Sequence, residues 1–321
     1  MSAAAYSRAA AERDRWILDR RGRRNTLDPR HAVAALTEEE PAGEGETVSV
    51  STIFLTNREC PWRCLMCDLW RNTLAESVPA GAIPGQIRAA LARLPPARWA
   101  KLYNSGSFFD QKAIPSEDHR AIARLLSGFE RVIVESHPAL CGEPTLRFRD
   151  LLDGALEVAL GLETIHPEVL PRLNKRMTLE DFRRAAAFLR EAGVSLRAFV
   201  LVGLPFVAPR EAAAWALRSA EFAFDCGAAV VSLIPTRSGN GAMDALEERG
   251  DFSPPDLAAL EEAAAAVLAL SRGRSLADLW DLARFSRCGA CLPARADRLR
   301  AMNLAQAVPP PVSCPACGGS R

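Results

Sequence analysis

The residues of this chain with the clearest chemistry are three cysteines in the stretch ECPWRCLMCDLW. Cys60, Cys64 and Cys67 follow a C-x3-C-x2-C spacing directly after the apolar run VSVSTIFLTN, which predicts a strand. The spacing places three thiolates on one short loop and supplies no fourth. A closed structural zinc site uses four ligands, whereas three thiolates on a four-iron cluster leave one iron open to bind another molecule. The pattern therefore favours a 4Fe–4S cluster over a zinc knuckle or a chance grouping.

A second set of cysteines lies near the end of the sequence, as two C-x2-C pairs separated by 22 residues. The four members are Cys288, Cys291, Cys314 and Cys317. Four sulfur ligands allow a closed tetrahedral site, so we expect structural zinc, with an auxiliary iron–sulfur cluster or a free dithiol pair as alternatives. Cys141 and Cys226 stand alone and are expected to be ordinary small residues, with a catalytic thiol at Cys141 as the alternative.

Length and composition set limits on the class of protein. With 321 residues and 49% hydrophobic content, the chain can bury one large core or two modest ones. A net charge of +1 gives no global argument for nucleic acid or membrane. No run approaches the roughly 18 apolar residues of a membrane span. Nine cysteines without an export signal argue for metal rather than disulfides, so we expect a cytoplasmic protein without a membrane partner.

The N-terminal segment is locally basic. Eight arginines lie between Arg8 and Arg30, against four acidic residues. A solvated helix end and a contact with RNA phosphates are both consistent with this pattern.

The elements that would position the cysteines alternate between strand and helix patterns from about residue 48 onward. The strand candidates span 48–57, 101–106, 131–136, 156–164, 195–203 and 228–236. Amphipathic helices lie between them; one is predicted to begin with a capping box of Thr178 and Asp181. Six βα units are too few for the usual eight-stranded barrel. The sequence thus predicts an α/β fold, a partial (β/α)6 TIM-type barrel with a small C-terminal metal-binding extension built on four cysteines.

Three parts of the chain are expected. Residues 1–45 would form a basic helix followed by the polar linker TEEEPAGEGET. Residues 46–274 would form the barrel. Strand alternation is expected to stop at about Ser275, so residues 275–321 would form a zinc-ribbon-like extension that carries the four cysteines.

Four further stretches follow the cysteine loop in a fixed order. They are YNSGSFFD (103–110), VESHP (134–138), ALGLET (159–164) with LNKRMT (173–178), and VVSLIPTRSGNGAM (230–243). With these stretches, the region 48–260 resembles a radical SAM core of the elongator-acetyltransferase and methylthiotransferase type. Within that group it is most similar to the archaeosine-forming radical SAM lyase (RaSEA) family.

The resemblance implies a cofactor set and a reaction. Cys60, Cys64 and Cys67 would bind a 4Fe–4S cluster, and the open iron would bind S-adenosylmethionine (SAM). An electron from an external flavodoxin- or ferredoxin-type donor would cleave SAM to methionine and a 5′-deoxyadenosyl radical. That radical would abstract hydrogen from a substrate carbon.

The resemblance also implies residues that contact SAM. They are Ser105, Gly106, Ser107, Glu163, Arg176, Gly203, Pro205 and Ile234. The serine–glycine segment would meet the methionine amino group, Glu163 the ribose or methionyl end, and Arg176 the carboxylate. The last three would offer backbone edges to the adenine. Glu135 is the candidate catalytic residue in the cavity and ranks above His137; Arg197 stands where the family tends to have lysine.

The leading functional hypothesis is a radical SAM enzyme acting on a modified nucleoside of tRNA or a related nucleobase. One alternative keeps the enzyme class, with a peptide or small metabolite as substrate and an auxiliary iron–sulfur cluster in the C-terminal cysteines. Another is a zinc-ribbon nucleic-acid-binding scaffold with a vestigial cluster.

Overall fold

The computed structural model describes residues 6–7, 9–43 and 45–318. Within these residues, eight strands form one sheet in the order β1 to β8. The strands are β1 (Ala34–Gly43), β2 (Glu46–Phe54), β3 (Trp99–Tyr103), β4 (Arg131–Ser136), β5 (Ala155–Glu163), β6 (Ser195–Val202), β7 (Val230–Pro235) and β8 (Arg274–Ala277). β1 pairs with β2 antiparallel, and the six remaining neighbouring pairs are parallel. The predicted α/β barrel class is confirmed, and strands β2 to β7 are the six that the sequence predicts.

Helices follow most of the parallel strands and cover the outer face of the sheet. In the described part of the chain they are α1 (Ala10–Leu18), α2 (Ala82–Leu91), α3 (His119–Leu125), α4 (Glu143–Arg149), α5 (Val169–Arg172), α6 (Leu179–Glu191), α7 (Ala212–Asp225), α8 (Ala242–Glu248), α9 (Leu257–Ala269) and α10 (Leu292–Ala305). The capping box predicted for α6 is present, since the Asp181 N–H donates to Thr178 Oγ1 at 3.1 Å. Within the described ranges, no helix combines the length and apolarity needed to cross a bilayer.

The hydrophobic core lies between this ring of helices and the outer face of the strands. Ile53, Leu102, Val134, Val158 and Val200 are fully buried members of it. Because successive strand residues point to opposite faces, the residues next to them in sequence face the inside of the barrel.

The inside of the barrel carries a layer of buried charge. Lys101 Nζ lies 2.5 Å from Glu40 and 2.6 Å from Glu38. Arg197 reaches Glu40 at 2.6 Å and Glu157 at 2.7 Å. Burial alone would raise the pKa of Glu40, but Arg197 and Lys101 hold that pKa below its usual range.

This layer explains one difference from the sequence analysis. The segment expected to be a polar linker forms most of β1. The linker prediction places Glu38 and Glu40 in solvent, because the neighbouring sequence contains no cation that could pair with a buried carboxylate. Their partners, Lys101 and Arg197, lie 61 to 157 positions away from Glu40 along the chain, which local pattern cannot show.

The other edge of the sheet also differs from the expectation. The sheet does not end before Ser275, because Arg274–Ala277 continues it as β8, a strand of four residues. Helix α10 then covers this edge: Asn303 Oδ1 accepts from Ala277 N at 2.7 Å, and Gln306 Oε1 accepts from Ser275 N at 2.8 Å. α10 also contacts β1, so it bridges the two edge strands of the open barrel. The division into three parts stays a prediction.

Candidate functional site

The cysteine loop lies at the carboxyl end of β2, where the chemistry of parallel α/β barrels gathers. Burial raises the pKa of the Cys60, Cys64 and Cys67 thiols to about 12 each. Backbone N–H groups oppose this shift: Trp62 toward Cys60, and Leu69 and Trp70 toward Cys67. A cation bound by the three groups would favour their thiolate forms.

Two buried asparagines hold the loop in place. Asn174 Nδ2 donates to Arg63 O at 2.7 Å. Asn240 Nδ2 donates to Leu65 O at 2.8 Å and to Cys67 O at 3.1 Å. Neither asparagine was predicted from the sequence. Asn174 has a left-handed backbone (φ 57°), which asparagine adopts more readily than most residues.

The Ser105–Ser107 segment follows β3 and lies against the cysteine loop. A Cβ added to Gly106 would lie 3.2 Å from Cys60 Cβ, so glycine allows this close approach. Ser105 has a positive φ of 54°. Ser107 is buried, and its hydroxyl lies 2.8 Å from Ser136 Oγ, so the structure gives this hydroxyl a partner within the protein. A contact of Ser107 with SAM stays a prediction.

Glu135 lies beneath this segment. Its Oε1 accepts from Asn104 N at 2.6 Å and from Gly106 N at 3.3 Å. Burial raises the pKa of Glu135 to about 7, against the effect of these backbone N–H groups. The contacts show a carboxyl that positions the serine–glycine loop; a catalytic role for Glu135 stays a prediction.

Glu163 ends β5 beside a lysine that the sequence analysis did not select. Lys175 Nζ lies 2.8 Å from Glu163 Oε1, and both side chains are buried. Burial alone would lower the pKa of Lys175, but Glu163 and the nearby thiols of the cysteine loop raise it above its usual value. A Cβ on Gly161 would lie 2.2 Å from Glu163 Oε1 and 2.4 Å from Lys175 Nζ, so this glycine makes room for the ion pair.

Arg176 points away from this pair. Its Nη2 donates to Asp14 Oδ2 and to Ala10 O, both at 2.9 Å, on helix α1. Its neighbour Lys175 is the cation that lies buried beside Glu163, and contact of Arg176 with the SAM carboxylate stays a prediction. Both cations belong to the motif LNKRMT, so the sequence pointed to this segment. Its spacing could not show which of the two side chains faces Glu163.

His137 is a satisfied histidine in the part of the chain that the structure describes. Ala139 N donates to its Nδ1 at 3.1 Å, which makes Nε2 the protonated nitrogen, and Nε2 lies 3.0 Å from Lys175 O. Burial lowers its pKa to about 4, and its ring stacks on Trp62 with 3.7 Å between centroids. His137 thus positions Lys175 and the tip of the cysteine loop.

The residues expected near the adenine lie on the far side of the barrel mouth. Gly203 has φ 82° and packs so closely on Pro255 that an added Cβ would lie 2.7 Å away. Pro205 is buried. Ile234, at the end of β7, packs in one apolar cluster with Met66 of the cysteine loop. Adenine binding by these residues stays a prediction.

Unpartnered buried polar atoms mark the same rim. Both side-chain amide atoms of Asn104 lack a hydrogen-bond partner among the described residues, as do Thr236 Oγ1 and Asn57 Oδ1. They stand at the carboxyl ends of β3, β7 and β2. Such groups are rare in native proteins unless a ligand or water satisfies them, so the rim fits a bound polar molecule.

The N-terminal segment lies across this rim. Arg13 Nε donates to Asn174 Oδ1 at 3.2 Å, and Arg21 pairs with Glu59 at 2.6 Å. Arg24 also pairs with Glu59. Arg15, Arg23 and Arg30 are exposed, and Arg8 lies outside the described residues.

The C-terminal cysteines converge as predicted. The four sulfurs of Cys288, Cys291, Cys314 and Cys317 lie within 4.8 Å of one another. Cys288 Sγ is 4.0 Å from Cys314 Sγ, and Cys291 Sγ is 3.9 Å from Cys317 Sγ. Zn–S bonds of about 2.3 Å in a tetrahedron place sulfurs about 3.8 Å apart. In a four-iron cluster each cysteine binds a different iron, so the sulfurs would lie further apart than this. The donor set fits one metal ion.

A partial parallel barrel with a three-thiol loop at its carboxyl rim defines a class of iron–sulfur enzyme. Residues 54–216 match the model of the radical SAM superfamily, and the chain belongs to that family. It is a radical SAM enzyme, and the family implies a 4Fe–4S cluster and SAM.

Individual proteins that resemble the chain share about a quarter of its residues or fewer in the matched region. The chain is 27% identical over 222 residues to an uncharacterised protein of Methanocaldococcus jannaschii, covering 64% of this chain and 61% of that one. It is 26% identical over 224 residues to the archaeosine synthase subunit beta of Methanosarcina acetivorans, covering 66% and 64%. The chain thus spans less than two thirds of the length of these relatives. Among solved structures, Elp3 of Methanocaldococcus infernus matches with a TM-score of 0.46 at 16% identity, covering 59% of this chain and 51% of that one.

Proposed function

We propose that Cys60, Cys64 and Cys67 bind the 4Fe–4S cluster and that the adjacent Glu163–Lys175 pair binds the methionyl end of SAM. The single observation that carries this proposal is the buried ion pair 2.8 Å across, beside the thiols. A carboxylate and an ammonium side by side complement a zwitterion, whose own ammonium and carboxylate can pair with them. Lys175 thereby takes the charge-neutralising part first assigned to Arg176.

Bound there, the cluster and SAM supply one-electron cleavage and hydrogen-atom abstraction. The protein's own residues fix the geometry of this chemistry. Glu135 holds the Ser105–Ser107 loop through backbone N–H groups, and Asn240 holds the cysteine loop. Rigid placement of the reacting partners is the main contribution of the protein in such reactions.

For the substrate, we propose a modified nucleoside of tRNA or a related nucleobase. The name of the Methanosarcina relative supports a nucleoside-modifying role. Exposed Arg15 and Arg23 on the segment across the rim support a phosphate contact. Trp280, 68% exposed after β8 at the same rim, offers a stacking surface for an unpaired base.

The same proposal covers the metal of the C-terminal cysteines, the cellular compartment and the electron donor. The C-terminal cysteines bind one structural zinc, because their sulfurs are close enough for a single ion. This spacing supports a single ion over an auxiliary four-iron cluster in these cysteines. Nine free thiols suit the reducing cytoplasm, where a flavodoxin- or ferredoxin-type donor would supply the electron.

Anaerobic reconstitution tests the enzyme. With SAM and dithionite, the wild-type protein should release 5′-deoxyadenosine and methionine, and Cys64→Ala should abolish the release. Cys226→Ala is the matched control, since this cysteine lies outside the cysteine loop, and it should keep full activity. A protein whose three loop thiols hold one fully coordinated zinc, with no SAM cleavage, would contradict the proposal.

A further inference from the structure

The inner face of the barrel changes character from one layer to the next. Lys101, Arg197 and Glu157 form a buried charged layer whose side chains are all paired. Two residues further along β3 and β6 stand Tyr103 and Phe199. A period of two along a strand returns to the same face, so these two rings lie above the charged layer, toward the carboxyl rim.

Three aromatic rings make up this upper layer. Tyr103 lies 6.1 Å from Phe54 and 6.1 Å from Phe199 between ring centroids, in edge-to-face arrangements. Phe54 pairs with Tyr103 in the register of β2 and β3. All three rings keep partial exposure, whereas the outward residues between them, such as Leu102 and Val200, are fully buried. The barrel interior is therefore packed shut below this layer and open at it.

The composition of this layer is unusual for a barrel interior. Barrel interiors are generally filled by branched aliphatic side chains that leave no opening. Here the rings present apolar faces together with a polar edge. Burial raises the pKa of the Tyr103 hydroxyl to about 12. Glu135, also partly exposed, stands next to Tyr103 on β4.

We propose that Phe54, Tyr103 and Phe199 form an aromatic floor that binds a planar heteroaromatic ring of the substrate. The ring would stack on this floor, and the Tyr103 hydroxyl would hydrogen-bond to its edge. The inference rests on the proposed function for the position of SAM at the rim above. It extends that function because it names the part of the substrate that the barrel recognises.

The charges of the interior favour a ring over a flexible cationic side chain. A lysine-like substrate group would need a free carboxylate inside the barrel. Glu38, Glu40 and Glu157 are instead paired with Lys101 and Arg197 beneath the floor. The surface that remains open is aromatic, with one phenol that stays neutral at pH 7 and one carboxyl whose pKa burial raises to about 7.

Binding of guanosine to the reconstituted protein tests the inference. Saturating SAM is present, so that the adenine site is filled, and binding is followed by saturation-transfer NMR. Guanosine should bind, and methyl riboside, which has the sugar without the base, should not. Phe199→Leu should weaken guanosine binding roughly ten-fold, the effect of losing one stacking ring. Phe199→Tyr, which keeps a ring, should restore it.

Phe222→Leu is the matched control, because Phe222 lies on α7 outside the barrel and is also partly exposed. It should leave guanosine binding unchanged. Absence of guanosine binding to wild type, or equal loss in Phe199→Leu and Phe222→Leu, overturns the inference. Release of 5′-deoxyadenosine from the same samples is read separately. If SAM is cleaved but guanosine does not bind, the aromatic floor is wrong while the proposed function stands; absent SAM cleavage contradicts the proposed function instead.

Discussion

At the scale of single residues, Lys175 is the side chain that changes the interpretation of the site. The motif LNKRMT presents two adjacent cations, and sequence resemblance pointed to the second. Adjacent residues leave the backbone in different directions, and only the first turns inward to Glu163. Arg176, with its positive φ of 60°, points to α1.

Replacing these cations separates their roles. Lys175→Gln should weaken SAM binding at least ten-fold, because the carboxylate of SAM loses its buried counter-charge. Arg176→Gln should change SAM affinity less than three-fold, since its ion pair is largely exposed and worth at most about 1 kcal/mol. Equilibrium dialysis of SAM with the reconstituted protein measures both.

A structural defect must be distinguished from a binding defect in this comparison. Lys175→Gln leaves Glu163 buried without its cation, which can cost about 3 to 5 kcal/mol of stability. The double variant Glu163→Gln/Lys175→Gln removes that unpaired charge. If the double variant recovers both its melting temperature and full SAM affinity, the assignment of Lys175 is wrong.

Glu135 makes the serine–glycine loop sensitive to pH. Burial raises its pKa from 4.5 to about 7, so protonation favours the folded state, and this contribution is lost as pH rises from 4.5 through 7. SAM affinity should therefore fall between about pH 5 and pH 7.5 and level off above it. Glu135→Gln, which keeps an acceptor for the Asn104 and Gly106 N–H groups, should flatten this profile. Lys175 and Tyr103 are the other titratable groups facing Glu135, and both titrate well above this range. An unchanged slope in the variant would refute the role of Glu135.

At the scale of elements, the two edges of the sheet show what sequence pattern can and cannot supply. The six central strands were predicted because apolar runs bounded by turns are typical of strands covered by helices. β1 was missed because its glutamates find partners only in the folded barrel, and β8 because four residues carry too little pattern. The cysteine ligands were predicted from spacing, whereas Asn174, Asn240 and Lys175 act through contacts distant in sequence.

The charged layer under the floor gives a stability test. Glu40→Gln leaves Arg197 and Lys101 with an unpaired excess of buried positive charge, so it should lower the free energy of unfolding by about 3 to 5 kcal/mol. Adding Arg197→Met should recover part of this loss, because one excess cation is removed. Urea denaturation of the two single variants and the double variant measures the coupling. Additive effects would show that the pair does not interact.

The four C-terminal cysteines give a metal-removal test at the same scale. Purified protein should contain about one zinc per chain besides the iron of the cluster. Cys314→Ser should lose this zinc and lower the melting temperature, because α10 would no longer be anchored across β1 and β8. Its visible iron–sulfur absorbance should persist. Loss of iron in parallel with zinc would instead place iron in these cysteines.

At the scale of the whole molecule, the N-terminal segment lies across the carboxyl rim of the barrel. Of the eight arginines in the basic N-terminal segment, Arg13, Arg21 and Arg24 bind other residues of the protein. It leaves Arg15, Arg23 and Arg30 exposed. A basic run in sequence is thus divided between structural and solvent-facing roles, and composition alone could not divide it.

Binding of tRNA should follow this division. Arg15→Ala/Arg23→Ala should weaken binding and reduce the salt dependence of the affinity by about two counterions. Leu151→Ala, at an exposed position on the opposite end of the barrel, is the control and should bind tRNA as wild type does. Fluorescence anisotropy at several salt concentrations measures this. Identical salt slopes for all variants would exclude a phosphate contact by these arginines.

The pairing of Glu40 with Arg197 also has a consequence for synthesis on the ribosome. β1 emerges before any other strand, yet its inward carboxylate meets Arg197 only after 157 more residues have been made. Until then the acidic hairpin has only one of its two counter-charges, because Lys101 follows Glu40 after 61 residues. The first strand of the sheet is therefore among the last parts of the barrel to reach its final place.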